Sequence, residues 1–207
     1  VMPRRICFFD LETRKLAHEV CPADEKRGWD MIKKGQGGIY GLMVWDAAEQ
    51  WLYPYDDDDI LELAAHLEAA DVVVGWNSEG FDRPVIEGLL GRKLVLKESL
   101  DLMLSVKAAL ANIGVFSWKR GQYTLGATCE RSFGRTKTGS GALAPHLPPG
   151  KMFRYCGNDV KLTRDLYDHI VREGGIISTS GMFIPVRLPD YLKEPACPNS
   201  TRQTSPS

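Results

Sequence analysis

The chain reads FFDLET over residues 8–13, directly after the segment Arg4-Arg5-Ile6-Cys7. Its apolar run predicts a buried strand at Ile6–Leu11 that ends in acidic residues. Residues i and i+2 lie on the same face of a strand, so Asp10 and Glu12 would stand side by side. Neighbouring carboxylates raise each other's pKa unless a cation lies between them. The pair therefore indicates either a cation site at the end of the strand or two acids splayed into solvent at a turn.

Composition sets limits on the class of protein. The 207 residues predict one domain over 1–188 and a disordered tail, rich in Pro, Ser and Thr, over 189–207. The chain is 43% hydrophobic with a net charge of −1, which argues against a polybasic protein but allows a local basic stripe. No apolar stretch approaches a membrane span, and no signal peptide is expected. The five scattered cysteines lack a C-x-x-C motif, so we expect reduced thiols in the cytoplasm.

The order of elements predicts the fold class. Residues 14–38 are polar and end in glycines, which is typical of a long connection or insertion rather than a core element. Elsewhere the pattern predicts strands at Ile39–Trp45, Gln50–Tyr53, Val72–Trp76 and 93–97, helices at 59–70, 81–91, 101–111, 124–132 and 151–173, and a small strand pair within Ile176–Val186. Three strands followed by alternating helices and strands indicate an α/β fold with an antiparallel edge.

Further carboxylates follow later elements. Asp82 closes the segment GWNSEGFD, just beyond the end of a predicted central strand. In the segment YCGND, Tyr155 and Asp159 are four residues apart and share one face of the last long helix. Each has a simpler explanation when taken alone: a helix N-cap for Asp82, and an amphipathic helix for the other two. Asp101 is also acidic, but we expect it to cap the helix that follows.

Taken together, these motifs resemble a known family. Asp-x-Glu on the first strand, Asn-x-x-x-Phe-Asp after a central strand and Tyr-x-x-x-Asp on the last helix occur in the order seen in DEDDy-type 3′–5′ exonucleases. The resemblance extends to the exonucleases related to polymerase proofreading domains and to helicase-associated ribonuclease H-like domains, and it covers about residues 4–173. It implies a ribonuclease H-like mixed sheet, with strands 1–3 antiparallel, later strands parallel, and helices on both faces.

The resemblance also implies a chemistry. Two divalent cations, Mg²⁺ or Mn²⁺, would be held by acids and would promote phosphodiester hydrolysis. Asp10 would bridge both ions, Glu12 and Asp159 would complete one site, Asp82 would act through water, and Tyr155 would contact the attacking water. The implied activity is 3′–5′ exonuclease activity on single-stranded ends, with DNA favoured over RNA, and the implied partner is a polymerase or a helicase. The alternatives are a ribonuclease on the same fold and a non-catalytic nucleic-acid-binding or polymerase-accessory module.

Basic residues concentrate before the last helix. Ser117–Arg154 carries seven basic residues against the single acid Glu130, which favours contacts with a phosphate backbone over a merely solvated loop. Phe116, Trp118 and Tyr123 would either stack on unpaired bases or pack in the core. The residues predicted to contact substrate are Thr13, Asn77, Phe81, Lys119, Arg120, Arg131, Arg135 and Lys137.

Overall fold

A five-stranded mixed sheet forms the centre of the protein. The computed structural model describes residues 4–117, 119, 121–139 and 141–192. The strands are β1 (Ile6–Thr13), β2 (Ile39–Asp46), β3 (Trp51–Tyr55), β4 (Val72–Gly75) and β5 (Ser99–Asp101), in the spatial order β3-β2-β1-β4-β5. β1, β2 and β3 pair antiparallel, whereas β1, β4 and β5 run parallel. The predicted α/β fold with a mixed sheet is therefore confirmed.

Helices cover both faces of the sheet. They are α1 (Ala17–Val20), α2 (Glu25–Met31), α3 (Ile60–Ala69), α4 (Asp82–Leu90), α5 (Leu102–Asn112), α6 (Leu125–Phe133) and α7 (Pro149–Glu173). Side chains alternate along a strand. Phe8 and Val74 accordingly pack in the core layer of α5, α6 and α7, while Phe9 and Val73 pack in that of α3 and α4. Among the described residues, no helix is long and apolar enough to cross a membrane.

The C-terminal part of the domain is a small hairpin. β6 (Gly175–Ile177) pairs antiparallel with β7 (Phe183–Pro185), as the sequence predicted. A 3₁₀ turn follows at Asp190–Leu192, and Leu192 is buried in the core layer of α7. Apolar packing therefore continues to residue 192, inside the segment predicted as a tail. The remainder of that predicted tail, 193–207, lies outside the described residues.

The prediction of a strand at 93–97 is wrong. The N–H of Leu94 donates to the Glu87 carboxylate at 3.2 Å, and the N–H of Val95 donates to the Glu68 carboxylate at 3.0 Å. Side chains thus occupy the backbone donors that a sheet ladder would need. The strand at this edge is β5 instead, which begins at Ser99 and pairs with β4.

The insertion over residues 14–38 is more ordered than its polar sequence indicates. It forms α1, α2 and a π-helical turn at Ile32–Gln36, and Ile32 is completely buried. A Cβ added to Gly88 of α4 would lie 2.5 Å from the backbone of Lys34 and Gly35. The insertion therefore packs backbone to backbone on α4, a contact that only glycine allows.

Candidate active site

Three acids converge where α7 crosses β1. Asp10 and Glu12 come from the strand and Asp159 comes from the helix. One carboxylate oxygen of each lies within 4.8 Å of those of the other two. Asp10 and Glu12 are partly exposed, whereas Asp159 is fully buried. The side-by-side arrangement predicted from the strand is present, and the last helix adds the third carboxylate.

Close packing of α7 on the sheet fixes this geometry. Gly41 pairs with Glu12 across β1 and β2, and a Cβ at Gly41 would lie only 2.1 Å from the Met152 methyl group. One turn further along the helix, the Cys156 thiol donates to the backbone carbonyl of Asp10 at 3.1 Å. A small residue on β2 and a thiol on α7 thus let the helix backbone approach the two acids of β1.

Asp82 reaches the same region from the opposite side. It is the first residue of α4, is 4% exposed, and accepts a hydrogen bond from the N–H of Leu11 at 3.1 Å. Leu11 lies between the two acids of β1, so this bond ties α4 to the strand at that position. Burial raises the pKa of Asp82 to about 7, although backbone hydrogen bonds oppose the rise. Asp82 lies beside the three-acid group and lines the same cavity as Asp10.

The acids destabilise one another in the absence of a cation. Burial, followed by the charges of Asp159, Asp82 and Glu12, raises the pKa of Asp10 well above its usual range. Burial and the charge of Asp159 raise the pKa of Glu12 to about 8, and burial also raises the pKa of Asp159. These directions show that the folded protein holds carboxylates together at a cost in free energy.

Tyr155 and Lys137 complete the inner part of the site. The Lys137 ammonium forms an ion pair with Asp159 and lies 5.4 Å from the centroid of the Tyr155 ring. Burial and the charge of Asp159 raise the pKa of the Tyr155 hydroxyl, which argues against its acting as a general base. Apart from the ion pair with Lys137, neither this hydroxyl nor the carboxylate oxygens of Asp159 have a hydrogen-bond partner of good geometry among the described residues.

The donor set fits a hard divalent cation. Asp10, Glu12 and Asp159 offer only oxygen ligands, and such ligands suit Mg²⁺ and Mn²⁺. Buried polar oxygens without hydrogen-bond partners are uncommon and call for an ion or water. One ammonium group also leaves most of the carboxylate charge unbalanced. These three acids could therefore hold a metal ion.

A second group with suitable spacing has a different character. Cys7, Asp46 and His66 also place potential ligand atoms within 4.8 Å of one another. However, the Asp46 carboxylate accepts from the Arg5 guanidinium at 2.6 Å, and the other His66 nitrogen lies 2.6 Å from the Tyr55 hydroxyl. Since its charge is already paired, this group is a buried hydrogen-bond network that joins β2, β3 and α3.

A cavity of about 510 Å³ opens beside the acids. Its size lies in the range of small-molecule sites. Asp10, Asp82 and Tyr155 line its polar side. Its apolar side is formed by Trp76, Phe81, Met103, Tyr123 and Leu125. The cavity thus combines carboxylates with apolar and aromatic side chains that can contact a planar ring.

Asp101 holds one wall of this cavity. It caps α5 through the N–H of Met103, as predicted, but it also accepts from the N–H groups of Asn77 and Glu79 at 3.0 and 3.1 Å. Asn77 has a φ of +62°, a left-handed conformation that is unusual outside glycine. Asp101 thereby fixes the loop that leads to Phe81. No local pattern signals this role, because the bonded residues are more than 20 positions apart.

Three of the residues predicted to contact substrate line the cavity, and the other described ones do not. Asn77, Phe81 and Lys137 line the cavity. Thr13 is buried, and its hydroxyl donates to the Lys15 carbonyl at 2.8 Å, so it serves the local turn. Lys119 is exposed.

Arg131 and Arg135 of the basic stretch make contacts within the protein. Arg131 donates to the Ile177 carbonyl at 3.3 Å and stacks over Tyr123, while Arg135 forms an ion pair with Asp165. Of the aromatic residues considered for stacking, Tyr123 is buried against the cavity and Phe116 is exposed. Arg120 and Trp118 lie outside the described residues.

Two residues of the basic Ser117–Arg154 stretch that were not among the predicted substrate contacts lie next to the site. A second cavity, of about 390 Å³, is lined by Tyr155, Lys151 and Arg154. Both basic residues belong to the first turns of α7. Lys151 lies four residues before Tyr155, so the helical period alone could have placed it on the same face.

Comparison with known proteins agrees with the architecture. No family model and no curated protein matches the chain. Among solved structures, it is similar to the family B DNA polymerase from the hyperthermophilic archaeon Pyrobaculum calidifontis, with a TM-score of 0.54 at 18% identity. The match covers 82% of this chain and 25% of the polymerase, so the chain spans about a quarter of that protein's length. The match supports the α/β fold with a mixed sheet and is consistent with the predicted ribonuclease H-like arrangement.

Proposed function

We propose that this protein is a metal-dependent 3′–5′ exonuclease that hydrolyses phosphodiester bonds at the ends of single-stranded nucleic acid, DNA in preference to RNA. The observation that carries the proposal is the convergence of Asp10, Glu12 and Asp159, with Asp82 beside them, at the polar side of the larger cavity. A protein that only binds nucleic acid has no use for buried carboxylates that repel both one another and a phosphate. Their cost in free energy is explained by a reaction that needs bound cations.

Each side chain has a part in the proposed reaction. Two bound Mg²⁺ or Mn²⁺ ions would supply charge neutralisation of the scissile phosphate and a water of lowered pKa. Asp10 would be shared between the ions, Glu12 and Asp159 would complete one of them, and Asp82 would act through water, as the family resemblance implies. The Tyr155 hydroxyl would orient the attacking water as a hydrogen-bonding group, because its raised pKa makes it a poor base.

The cavities suggest a path for the strand. The terminal nucleotide would occupy the cavity of about 510 Å³, with its base against Phe81 and its sugar near Asn77. The strand would continue past Tyr155 into the second cavity, where Lys151 and Arg154 would contact phosphates. The other predicted contacts, from Thr13, Lys119, Arg120, Arg131 and Arg135, remain proposals that require these side chains to face the strand in the complex.

The setting of the reaction is part of the proposal. Similarity to a portion of a DNA polymerase supports work alongside a polymerase, and the family resemblance adds a helicase as the other possible partner. Cys7, Cys21, Cys129 and Cys156 are free thiols, which supports the cytoplasm as the compartment.

A single gel tests the proposal. Single-stranded DNA and RNA oligonucleotides labelled at the 5′ end are incubated with the protein in Mg²⁺, Mn²⁺ or EDTA. The expected result is progressive shortening from the 3′ end in either metal, faster on DNA, and no shortening in EDTA. Cleavage that persists in EDTA, or intact oligonucleotides in every lane, would contradict the proposed function.

A further inference from the structure

Lys137 occupies a place in the acid cluster that the sequence did not predict. Its ammonium forms an ion pair with Asp159, and its side chain is 30% exposed while that of Asp159 is 1% exposed. Although burial acts to lower it, the charges of Asp159 and Asp10 raise the pKa of Lys137 above its usual value. Lys137 also lines the cavity next to the Tyr155 ring. It therefore places a positive charge among the proposed metal ligands.

The backbone on either side of Lys137 is held in place. A Cβ added to Gly126 of α6 would lie 2.9 Å from the Lys137 side chain, so α6 packs closely against Lys137. The Asn158 amide of α7 donates to the Thr138 hydroxyl at 3.2 Å, and Gly139 lies against the Tyr155 ring. Contacts with α6 and α7 thus hold the backbone around Lys137 in a position from which its side chain reaches the acids.

The position creates a conflict of charges. A divalent ion that is bound by Asp10, Glu12 and Asp159 needs the same carboxylate that the ammonium neutralises. Without metal, the ammonium reduces the repulsion among the acids. With metal, it is a like charge next to the ion, and like charges at close range are unfavourable. The lysine and the metal would therefore compete for the negative charge of Asp159.

We propose that Lys137 is a resident cation that competes with the divalent ion for Asp159 and, once displaced, contacts a phosphate of the strand in the adjoining cavity. This inference rests on the proposed function, since it assigns a positioning residue to the same site. Displacement requires only a side-chain movement, because the cavity that Lys137 lines provides the space. The lysine then holds the acids together before metal binds and supports the substrate afterwards.

Metal binding without nucleic acid tests the competition. Mn²⁺ is titrated calorimetrically into the wild-type protein, Lys137→Met, Lys137→Arg and Lys107→Met. Lys107 lies on α5 and makes no ion pair with the acids within the described part of the chain, so its variant is the charge-matched control. Lys137→Met should bind Mn²⁺ about tenfold or more tightly than wild type, on the scale of coupling between close charges. Lys137→Arg and Lys107→Met should remain near wild type.

Two further readouts complete the test. In Ca²⁺, which keeps the strand intact in the proposed mechanism, Lys137→Met should flatten the dependence of log affinity on log salt by about 0.7, the value for one phosphate contact on a single strand. In wild-type protein, the side-chain Cε signal of Lys137 in an NMR spectrum should move on addition of Mg²⁺, while that of Lys107 stays in place. The NMR measurement needs no variant to fold.

The outcomes separate this inference from the proposed function. Absence of Mn²⁺ binding by wild type would overturn the proposed function together with the inference. If wild type binds Mn²⁺ but Lys137→Met binds it with equal or lower affinity, or if the Lys137 signal does not move with Mg²⁺, the competition is refuted and the proposed function stands. An unchanged salt slope in Lys137→Met would refute the phosphate contact.

Discussion

Exchange of Glu12 for glutamine should stabilise the metal-free protein in alkaline solution. Glu12 is partly buried beside Asp10 and Asp159, and burial with the charge of Asp159 raises its pKa from 4.5 to about 8. A carboxyl group whose pKa is higher in the folded state costs no stability at low pH, where it is protonated in both states. The cost appears as pH rises above 4.5 and is complete above about 8. Glutamine has nearly the same shape and carries no charge.

The expected magnitude follows from the rise in pKa. At about 1.4 kcal/mol per pKa unit, a rise from 4.5 to about 8 corresponds to roughly 5 kcal/mol for fully ionised Glu12. Solvent reaches part of the side chain, and protons can shift among the neighbouring acids, which reduces this value. We therefore expect Glu12→Gln to raise the free energy of unfolding at pH 9 by about 2–4 kcal/mol and to leave it nearly unchanged at pH 4.

Urea denaturation in EDTA measures this difference. With the urea dependence usual for domains of this size, about 2–4 kcal/mol moves the unfolding midpoint by roughly 1–2 M. Addition of Mg²⁺ should reverse the order, because wild type gains stability from a ligand that the variant binds poorly. If Glu12→Gln is no more stable than wild type at pH 9 in EDTA, the acids do not repel one another as described.

Three other changes probe the tyrosine, the helix contact and the strand path. Tyr155→Phe should slow hydrolysis by roughly 10–10⁴-fold, the scale of one positioned group, without a change in calorimetric Mn²⁺ affinity; full activity would remove the tyrosine from the site. Gly41→Ala should cost about 1–3 kcal/mol in thermal unfolding by overpacking α7, and an unchanged melting temperature would refute the close contact. Joint replacement of Lys151 and Arg154 by Ala should flatten the salt dependence of strand binding by about 1–2, whereas Arg92→Ala, at an exposed arginine paired with Glu68, should not; an unchanged slope in the double variant would mean that the strand follows another path.

Local pattern was sufficient to predict much of the fold. The apolar run before Asp10 and the helical period through Asp159 correspond to β1 and α7. The strand predicted at 93–97 failed because its backbone donors are bound by Glu68 and Glu87, residues whose proximity no local pattern reveals. The prediction that residues 14–38 form no core element failed for a related reason. This segment packs on α4 through glycines, and glycines contribute nothing to a hydrophobic period.

In the candidate site, too, local spacing predicted some residues, while contacts between distant segments could not be predicted. Acids with spacings of two along a strand or four along a helix could be grouped from the sequence, because those spacings fix a common face. Lys137 could be assigned only to a basic stretch, since the ion pair with Asp159 joins an irregular segment to a helix 22 residues away. Asp101 is a similar case. Its role as the cap of α5 is local and was predicted, but its hydrogen bond from the N–H of Asn77 joins residues far apart in the sequence.

Nuclease activity of Asp10→Asn is the most direct test of the central claim, that the converging acids bind the cations used in hydrolysis. Asp10 is the residue proposed to be shared between both ions, and asparagine preserves its shape while it removes its charge. We expect the purified variant to keep wild-type circular dichroism and equal or higher stability in EDTA, yet to have no measurable activity on labelled single-stranded DNA in Mg²⁺ or Mn²⁺. Activity at the wild-type level in the folded variant would show that these acids do not bind the cations used in hydrolysis.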